Sequence, residues 1–319
     1  MKKILSLILC IAMLASVLAL VGCGETKLNF GLGIDAGISG VTDATEEANG
    51  SGKVTTTIAA VLTDANGKVV DCFLDCADNT AEYTVDGEAV EATYKTKREA
   101  GNDYGMSEFT KEWFEQADIF EGLVVGKTVT EIKALMAENG KGTEEVTTAG
   151  CTIYVNGFVK AIEKAIANAA PSEATKNSVL SVGVATQQSA VDATAEEDGS
   201  NKLTTNIYAA AKNKDGVIEA AITEVVEVDF TFDENGASTY EAPATLKGKL
   251  ELGDDYGMKS EWGSAKEWYE HAAVFNAATI GKKAGDIASL MVNGKGNADI
   301  QAAGCTIYIS GFVLAASKV

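Results

Sequence analysis

The chain contains one unit twice. Residues 28–168 and 178–319 align along their length, and each copy ends with the motif A-G-C-T-I-Y followed by a predicted helix. The motif begins at Ala149 in the first copy and at Ala303 in the second. A period of about 150 residues indicates duplication of a whole domain, because solenoid repeats are much shorter. Features that both copies keep are therefore the stronger candidates for a shared fold or a shared site.

The N-terminus is typical of a bacterial lipoprotein leader. Lys2 and Lys3 precede an apolar stretch that ends at Gly22 and Cys23, and a polar segment follows. A basic start, an apolar run and small residues predict a secretory signal peptide at residues 1–22. Small residues directly before a cysteine favour lipidation of Cys23, which would anchor the mature protein to the cell membrane on its extracytoplasmic face. The alternatives are an ordinary secretory signal and an uncleaved anchor.

The surface is expected to be strongly acidic. The chain has 46 acidic and 26 basic residues and a formal net charge of −20, and loss of the leader would remove two lysines and no acidic residue. A surface of this sign repels phosphate backbones and anionic headgroups. We therefore expect no nucleic-acid partner, and we interpret the charge as a source of solubility outside the cell.

Alternating apolar residues in each copy predict antiparallel hairpins. A polar, Gly-rich segment opens the first copy, and the strands at 54–62 and 69–76 then flank a turn that ends at Gly67, a residue that tolerates positive φ. The second copy repeats the hairpin, with strands predicted at 203–211 and 217–228. A short third strand is predicted after each hairpin, at 82–85 in the first copy and at 229–232 in the second.

Helices follow the strands in each copy. An amphipathic helix begins at the tripeptide K-E-W and places Trp113 and Phe120 on one face, and Trp268 repeats this position in the second copy. Shorter helices are predicted at 128–136 and 284–291, and the last helix of each copy follows A-G-C-T-I-Y. Hairpins followed by helices argue against a parallel doubly wound sheet.

These patterns predict an α+β protein made of two tandem copies of a small domain, each with an antiparallel hairpin sheet and C-terminal helices. The expected first copy is residues 23–168, the linker is 169–177, and the second copy is 178–319. The linker contains Pro171, one of only two prolines in the chain.

The cysteines beyond the leader give no redox or metal pattern. Cys72 and Cys76 share one face of a predicted strand about 13 Å apart, which is too far for a disulfide. Small apolar residues take these positions in the second copy, so we expect small, buried side chains. Cys151 and Cys305 occur in both copies, each within its own domain, and are expected to pack under a tight turn.

His271 is the only histidine of the chain, and Gln116 stands at its position in the first copy. One histidine excludes a histidine-based triad in each copy and a multi-histidine zinc site. A hydrolase would have only carboxylates to use. We expect His271 to lie on an exposed helix face.

Two motifs shared by the copies could carry chemistry, and the first is D-Y-G-M. It contains Asp103 and Tyr104 in the first copy and Asp255 and Tyr256 in the second. An acidic residue, an aromatic ring and a glycine ahead of a helix could hold a planar ligand against the ring. Alternatively, the aspartate caps the helix while tyrosine and methionine cover the core.

The second shared motif is A-G-C-T. Gly150 and Gly304 would allow a close backbone approach, and Thr152 and Thr306 offer hydroxyl groups. A predicted helix begins a few residues later, where free amide groups favour an anion such as phosphate. A short edge strand followed by a capped helix explains the pattern equally well.

The end of each copy resembles the FMN-binding domain family, which includes ion-pumping flavin subunits and extracellular flavoprotein lipoproteins. The turn at 66–69 is similar to the D-G-K-I-type turn of that family, and G-C-T-I at Gly150 and Gly304 is similar to its final S/T-G-A-T motif before a C-terminal helix. The resemblance implies that FMN is joined to the last threonine by a phosphoester bond, which a separate flavin transferase makes. The D-Y-G-M and K-E-W segments also resemble a repeat common in lipoproteins of clostridia-like bacteria.

The resemblance implies an electron carrier rather than a catalyst that turns over a substrate by itself. It would exchange electrons with a redox partner in the membrane. The implied cofactor-binding residues are Thr152, Thr306, Gly150, Gly304, Tyr104 and Tyr256. The alternative is a non-redox binding or scaffold lipoprotein that has lost the flavin. Ala149 and Ala303, which replace the family's Ser/Thr, favour this alternative, as does Val146, which stands where the family has an aspartate.

Overall fold

The computed structural model describes residues 25–106 and 111–319. The predicted leader at 1–22 and the predicted lipidation site at Cys23 lie outside the described residues. Within the described part of the chain, no helix is both long enough and apolar enough to cross a membrane.

The protein has an α+β fold with antiparallel sheets, as the sequence predicts. The strands of the first sheet are β1 (Lys27–Thr42), β2 (Gly50–Thr63), β3 (Val69–Tyr83), β4 (Ala89–Val90) and β5 (Ala170–Thr175). Those of the second are β6 (Val179–Val191), β7 (Gly199–Lys212) and β8 (Ile218–Phe232), and a separate small hairpin is formed by β9 (Met291–Val292) and β10 (Lys295–Gly296). The strand order is β4-β3-β2-β1-β5 in the first sheet and β6-β7-β8 in the second.

Helices follow both sets of strands in nearly the same order. The helices after the first long strands are α1 (Lys97–Ala100), α2 (Trp113–Val124), α3 (Val129–Lys133), α4 (Glu144–Ala149) and α5 (Asn156–Ala167). Those of the second half are α6 (Lys249–Leu252), α7 (Trp268–Thr279), α8 (Ala298–Ala302) and α9 (Ser310–Ala316), with a 3₁₀ segment at Ala284–Leu290. Short 3₁₀ turns at Gly101–Tyr104 and Gly253–Tyr256 contain the D-Y of each D-Y-G-M motif.

The two sheets pack against each other, and helices cover their outer faces. One apolar cluster joins residues of both sheets, including Ile58 from β2 and Ile207 from β7. Two further clusters lie between each sheet and its own helices. Residues 56–63 of β2 are therefore buried without alternation, because both faces of this central strand are covered.

Close contact between sheet and terminal helix depends on glycine. Gly33 in β1 lies against the carbonyl oxygen of Ala161 in α5, so closely that a Cβ atom would overlap it. Gly183 in β6 has the same relation to the carbonyl oxygen of Ala315 in α9. Gly33 pairs with Ala59 of β2, and Gly183 pairs with Tyr208 of β7, which occupies the position of Ala59 in the second copy. The two glycines are therefore equivalent.

Equivalent residues of the two halves meet across an approximate two-fold axis. The rings of Tyr83 and Phe232, which end β3 and β8, stack with centroids 4.4 Å apart. Two kinds of contact occur twice, once from the first half to the second and once from the second to the first. The backbone pairs are Ala44 N–H to Gly236 O and Ala193 N–H to Gly87 O, both 2.7 Å, and the ion pairs are Lys164–Glu251 at 2.9 Å and Lys318–Glu99 at 2.6 Å.

Several predicted element boundaries were wrong. The segment at 27–42, interpreted as a Gly-rich opening, is strand β1, and part of the predicted linker is strand β5, which pairs with β1. The predicted third strands are the ends of β3 and β8. The predicted helix at 284–291 is a 3₁₀ segment that ends at Leu290.

Candidate functional site

The A-G-C-T loops have the same backbone shape in both copies. Gly150 and Gly304 have φ angles of +107° and +104°, a region that strongly favours glycine. Cys151 and Cys305 are fully buried beneath the loops, which confirms the packing role predicted for them. Burial raises the pKa of both thiols. The threonine that follows each cysteine is exposed.

Gln116 of helix α2 holds the first loop. Its Oε1 accepts hydrogen bonds from the backbone N–H of Thr152 at 2.8 Å and of Ile153 at 3.3 Å, and from the Thr152 hydroxyl at 3.1 Å. Farther along, the amides of Val155 and Asn156 donate to the carbonyl oxygen of Gly140 at 2.9 and 3.2 Å. These two amides, at the start of α5, are therefore already hydrogen-bonded within the protein.

His271 takes the place of Gln116 in the second copy, and the prediction that it is exposed was wrong. Its side chain is 2% exposed, and its Nδ1 lies 2.9 Å from the carbonyl oxygen of Gly304. The shorter contact requires a proton on Nδ1, since a carbonyl oxygen can only accept, and this proton prevents Nδ1 from accepting the Thr306 N–H, which lies 3.4 Å away. Burial lowers the pKa of the imidazole, which favours this neutral form. The buried Nε2 atom has no hydrogen-bond partner among the residues that the structure describes.

The position of this histidine could have been predicted from helix periodicity. Residue 116 lies three residues after Trp113 and four before Phe120, so it falls on the apolar face of α2. Alignment of the two copies gave no sign of a shared role for Gln116 and His271, because the residues at this position differ. The structure shows that both are polar residues that contact the A-G-C-T loop.

A cleft lies beside each loop, between the long strands and the start of the terminal helix. The first cleft has a volume of about 340 Å³ and the second about 280 Å³. Ten equivalent positions line both clefts. The pairs are Gly37/Gln187, Thr55/Thr204, Thr57/Asn206, Cys76/Val225, Lys97/Lys249, Trp113/Trp268, Tyr154/Tyr308, Asn156/Ser310, Gly157/Gly311 and Phe158/Phe312.

Each cleft contains a largely buried lysine beside aromatic rings. Lys97 Nζ lies 5.1 Å from the ring centre of Tyr104 and 3.5 Å from a carboxylate oxygen of Asp78. In the second copy, Lys249 Nζ lies 4.7 Å from the ring centre of Tyr256. Glu227 pairs with this lysine at 2.9 Å. The side chains of the two lysines are only 16% and 12% exposed.

The structure thus places the tyrosines of D-Y-G-M beside the lysines, and Tyr256 also lines the second cleft. Asp103 lies in a 3₁₀ turn and does not cap helix α2. The cap is Glu112, which forms a capping box with Glu115. Thr152 is two residues before Tyr154, which lines the first cleft, but the threonine side chain turns toward Gln116.

The side chains present fit one part of a flavin site and not another. Thr152 and Thr306 are exposed residues that carry the hydroxyl group a phosphoester bond requires, and the Thr152 hydroxyl donates to Gln116. The tyrosine, tryptophan and lysine of each cleft suit a planar, electron-poor or anionic ring. A phosphate held by the amides of Val155 and Asn156 does not fit, because both amides already donate to the carbonyl oxygen of Gly140.

Comparison of the chain with models of protein families, with curated proteins and with solved structures finds no match.

Proposed function

We propose that this protein is a membrane-tethered extracytoplasmic lipoprotein of two tandem FMN-binding-like domains that carries electrons. Thr152 and Thr306 would hold the flavin, and the clefts beside them would contact its ring. The lipid on Cys23 would keep both sites near a redox partner in the membrane. When bound, a flavin would supply a reversible one- or two-electron carrier.

The observation that carries this proposal is the repetition of the cleft. A lysine, a carboxylate, a tyrosine and a tryptophan meet in both copies, and Tyr154 and Tyr308 of the clefts lie two residues after the exposed Thr152 and Thr306. The ammonium group of each lysine is paired with a carboxylate, Asp78 or Glu227, which offsets the cost of its burial. In this proposal, Lys97 and Lys249 would also interact with negative charge on an aromatic ring bound beside them.

A flavin transferase would make the covalent bond. The threonine oxygen would form a new bond to the phosphorus of a flavin dinucleotide, the nucleotide part would leave, and the hydroxyl proton would pass to the transferase. Gly150 and Gly304 would contribute by turning the loop so that the following threonine faces outward.

One observation favours a second candidate function, a non-redox binding or scaffold lipoprotein. The amides of the first A-G-C-T loop are held by Gln116 and by Gly140, so that loop is complete without a ligand. In this case the clefts would bind a planar molecule reversibly or serve only to hold the loop.

Co-expression of the mature chain with a flavin transferase distinguishes these functions. We expect the denatured protein to keep flavin absorbance, and we expect Thr152→Ala combined with Thr306→Ala to abolish it. Thr148→Ala is the matched control, since Thr148 is also exposed and lies just before the same loop. A protein that stays colourless, or colour that survives the double substitution, would exclude attachment at these threonines.

A further inference from the structure

A larger cavity lies between the two copies, away from both clefts. Its volume is about 580 Å³, within the range of small-molecule sites. Strand β1 and the end of α5 form one side, and β8, α6 and α7 form the other. Leu32, Ile222 and Leu250 provide apolar wall, while Lys164, Glu224 and Glu251 provide charged groups.

The equivalent region on the other side of the two-fold axis holds an arginine. The Nε–H of Arg98 donates to the carbonyl oxygen of Leu74 at 2.9 Å, and its Nη atoms donate to Asp118 and Glu121, both at 2.7 Å. The guanidinium carbon lies 4.6 Å from the ring centre of Phe73. One side chain of the protein thus fills this space and satisfies both carboxylates.

The second copy lacks all three members of this ion cluster. The residues at the corresponding positions are Leu250 for Arg98, Ala273 for Asp118 and Asn276 for Glu121. All three residues line the cavity. The cavity therefore opens where the first copy keeps a guanidinium group, and the loss of the two carboxylates matches the loss of the cation.

A buried carboxyl group remains at this place. Glu224 is 3% exposed, and its Oε1 accepts backbone hydrogen bonds from Val225 and Leu250, both at 2.8 Å. The other carboxylate of the cavity, Glu251, already pairs with Lys164 at 2.9 Å. A cation in the cavity would give Glu224 an ionic partner, which a buried carboxylate requires for stability.

We propose that this cavity binds a small organic cation with an apolar body, of the alkylguanidinium or alkylammonium class. The apolar part lies against Leu32, Ile222 and Leu250, and the cationic head lies near Glu224 and Asn276. The ligand takes the place that Arg98 occupies in the first copy. This site is independent of the flavin clefts, so either proposal can fail without the other.

Titration calorimetry of the full mature chain with butylguanidinium tests the proposal. We expect one bound molecule per chain, and at least about tenfold weaker binding of the neutral analogue butylurea, because hydrogen bonds to charged groups are the stronger ones. Glu224→Gln should weaken binding by a similar factor. Asp75→Asn is the matched control, because Asp75 is the equivalent buried carboxylate in the first copy and should leave binding unchanged.

Two triple variants test the position of the site. Leu250→Arg with Ala273→Asp and Asn276→Glu rebuilds the ion cluster of the first copy and should abolish binding. The reverse change opens a second cavity and should raise the stoichiometry from one to two. Its substitutions are Arg98→Leu, Asp118→Ala and Glu121→Asn.

Circular dichroism would establish that each variant is folded, and the single substitution at Glu224 gives an independent result if a triple variant is not. The proposal is overturned if butylguanidinium does not bind, if butylurea binds as tightly, or if binding survives both Glu224→Gln and the rebuilt cluster.

Discussion

The free energy of unfolding should fall as the pH rises because Glu224 ionises, and replacing Glu224 with glutamine should prevent this fall. Burial raises the pKa of this carboxyl from 4.5 to about 7, although backbone hydrogen bonds from Leu250 and Val225 oppose the shift. Glu251, which faces it and pairs with Lys164, adds a further negative charge. Glutamine keeps an acceptor oxygen for the two amides and cannot ionise.

The direction follows from proton linkage. Between about pH 4.5 and pH 7 the folded protein binds the Glu224 proton more tightly than the unfolded chain does, so the free energy of unfolding falls as the pH rises. One pKa unit corresponds to 1.36 kcal/mol, and a shift of about 2.5 units gives a total of about 3 kcal/mol. About 2 to 3 kcal/mol of this change should appear between about pH 5 and pH 8.

Urea unfolding at these two pH values measures the effect. The wild type should lose about 2 to 3 kcal/mol more than Glu224→Gln over the interval, because ionisation of all other groups cancels in the comparison. Glu173→Gln is a surface control, since the Glu173 side chain is 70% exposed and should behave like the wild type. Parallel pH profiles for the wild type and Glu224→Gln would refute the argument.

Three further predictions concern packing. Gly33→Ala should destabilise the protein by about 1 to 3 kcal/mol in urea unfolding, because a Cβ atom would overlap the backbone of α5. Gly37 has open space around it, so Gly37→Ala should leave the free energy of unfolding nearly unchanged. Equal effects of the two substitutions would contradict the contact between Gly33 and α5. Because the two sheets share one core, unfolding should be a single transition, and Ile58→Ala should lower its free energy by about 2 to 5 kcal/mol. Two separate transitions, with only one shifted by Ile58→Ala, would contradict that shared core. A thiol reagent should modify four buried cysteines only after unfolding, and rapid labelling of the native protein would contradict their burial. They are Cys72, Cys76, Cys151 and Cys305.

The sequence predicted the fold class because its strongest local signals agree with the structure. The turns at Gly67 and Gly216 have positive φ and connect the expected strands. Strand β1 was missed because glycines such as Gly33 lower the strand signal, and their purpose is contact with a helix more than 120 residues later in the chain. Strand β5 was missed because its partner strand lies at the other end of the first copy.

The candidate site was predicted in part. Both shared motifs lie at or beside the clefts, but the lysines and the loop-binding residues Gln116 and His271 were not predicted. Their role depends on elements that meet only in the folded chain. The cavity between the copies was also not predicted, since it requires the two-fold packing of the sheets. The joint replacement of Arg98, Asp118 and Glu121 by uncharged residues in the second copy can be recognised in the sequence only once that packing is known.

Intact mass spectrometry of the mature chain, co-expressed with a flavin transferase, tests the central claim most directly. We predict two mass increments of FMN attached per chain, one of which is lost with Thr152→Ala and the other with Thr306→Ala. Each single variant should keep half of the visible flavin absorbance. A chain that carries no flavin under these conditions, or increments that persist in the double variant, would contradict the account of A-G-C-T as the flavin attachment motif.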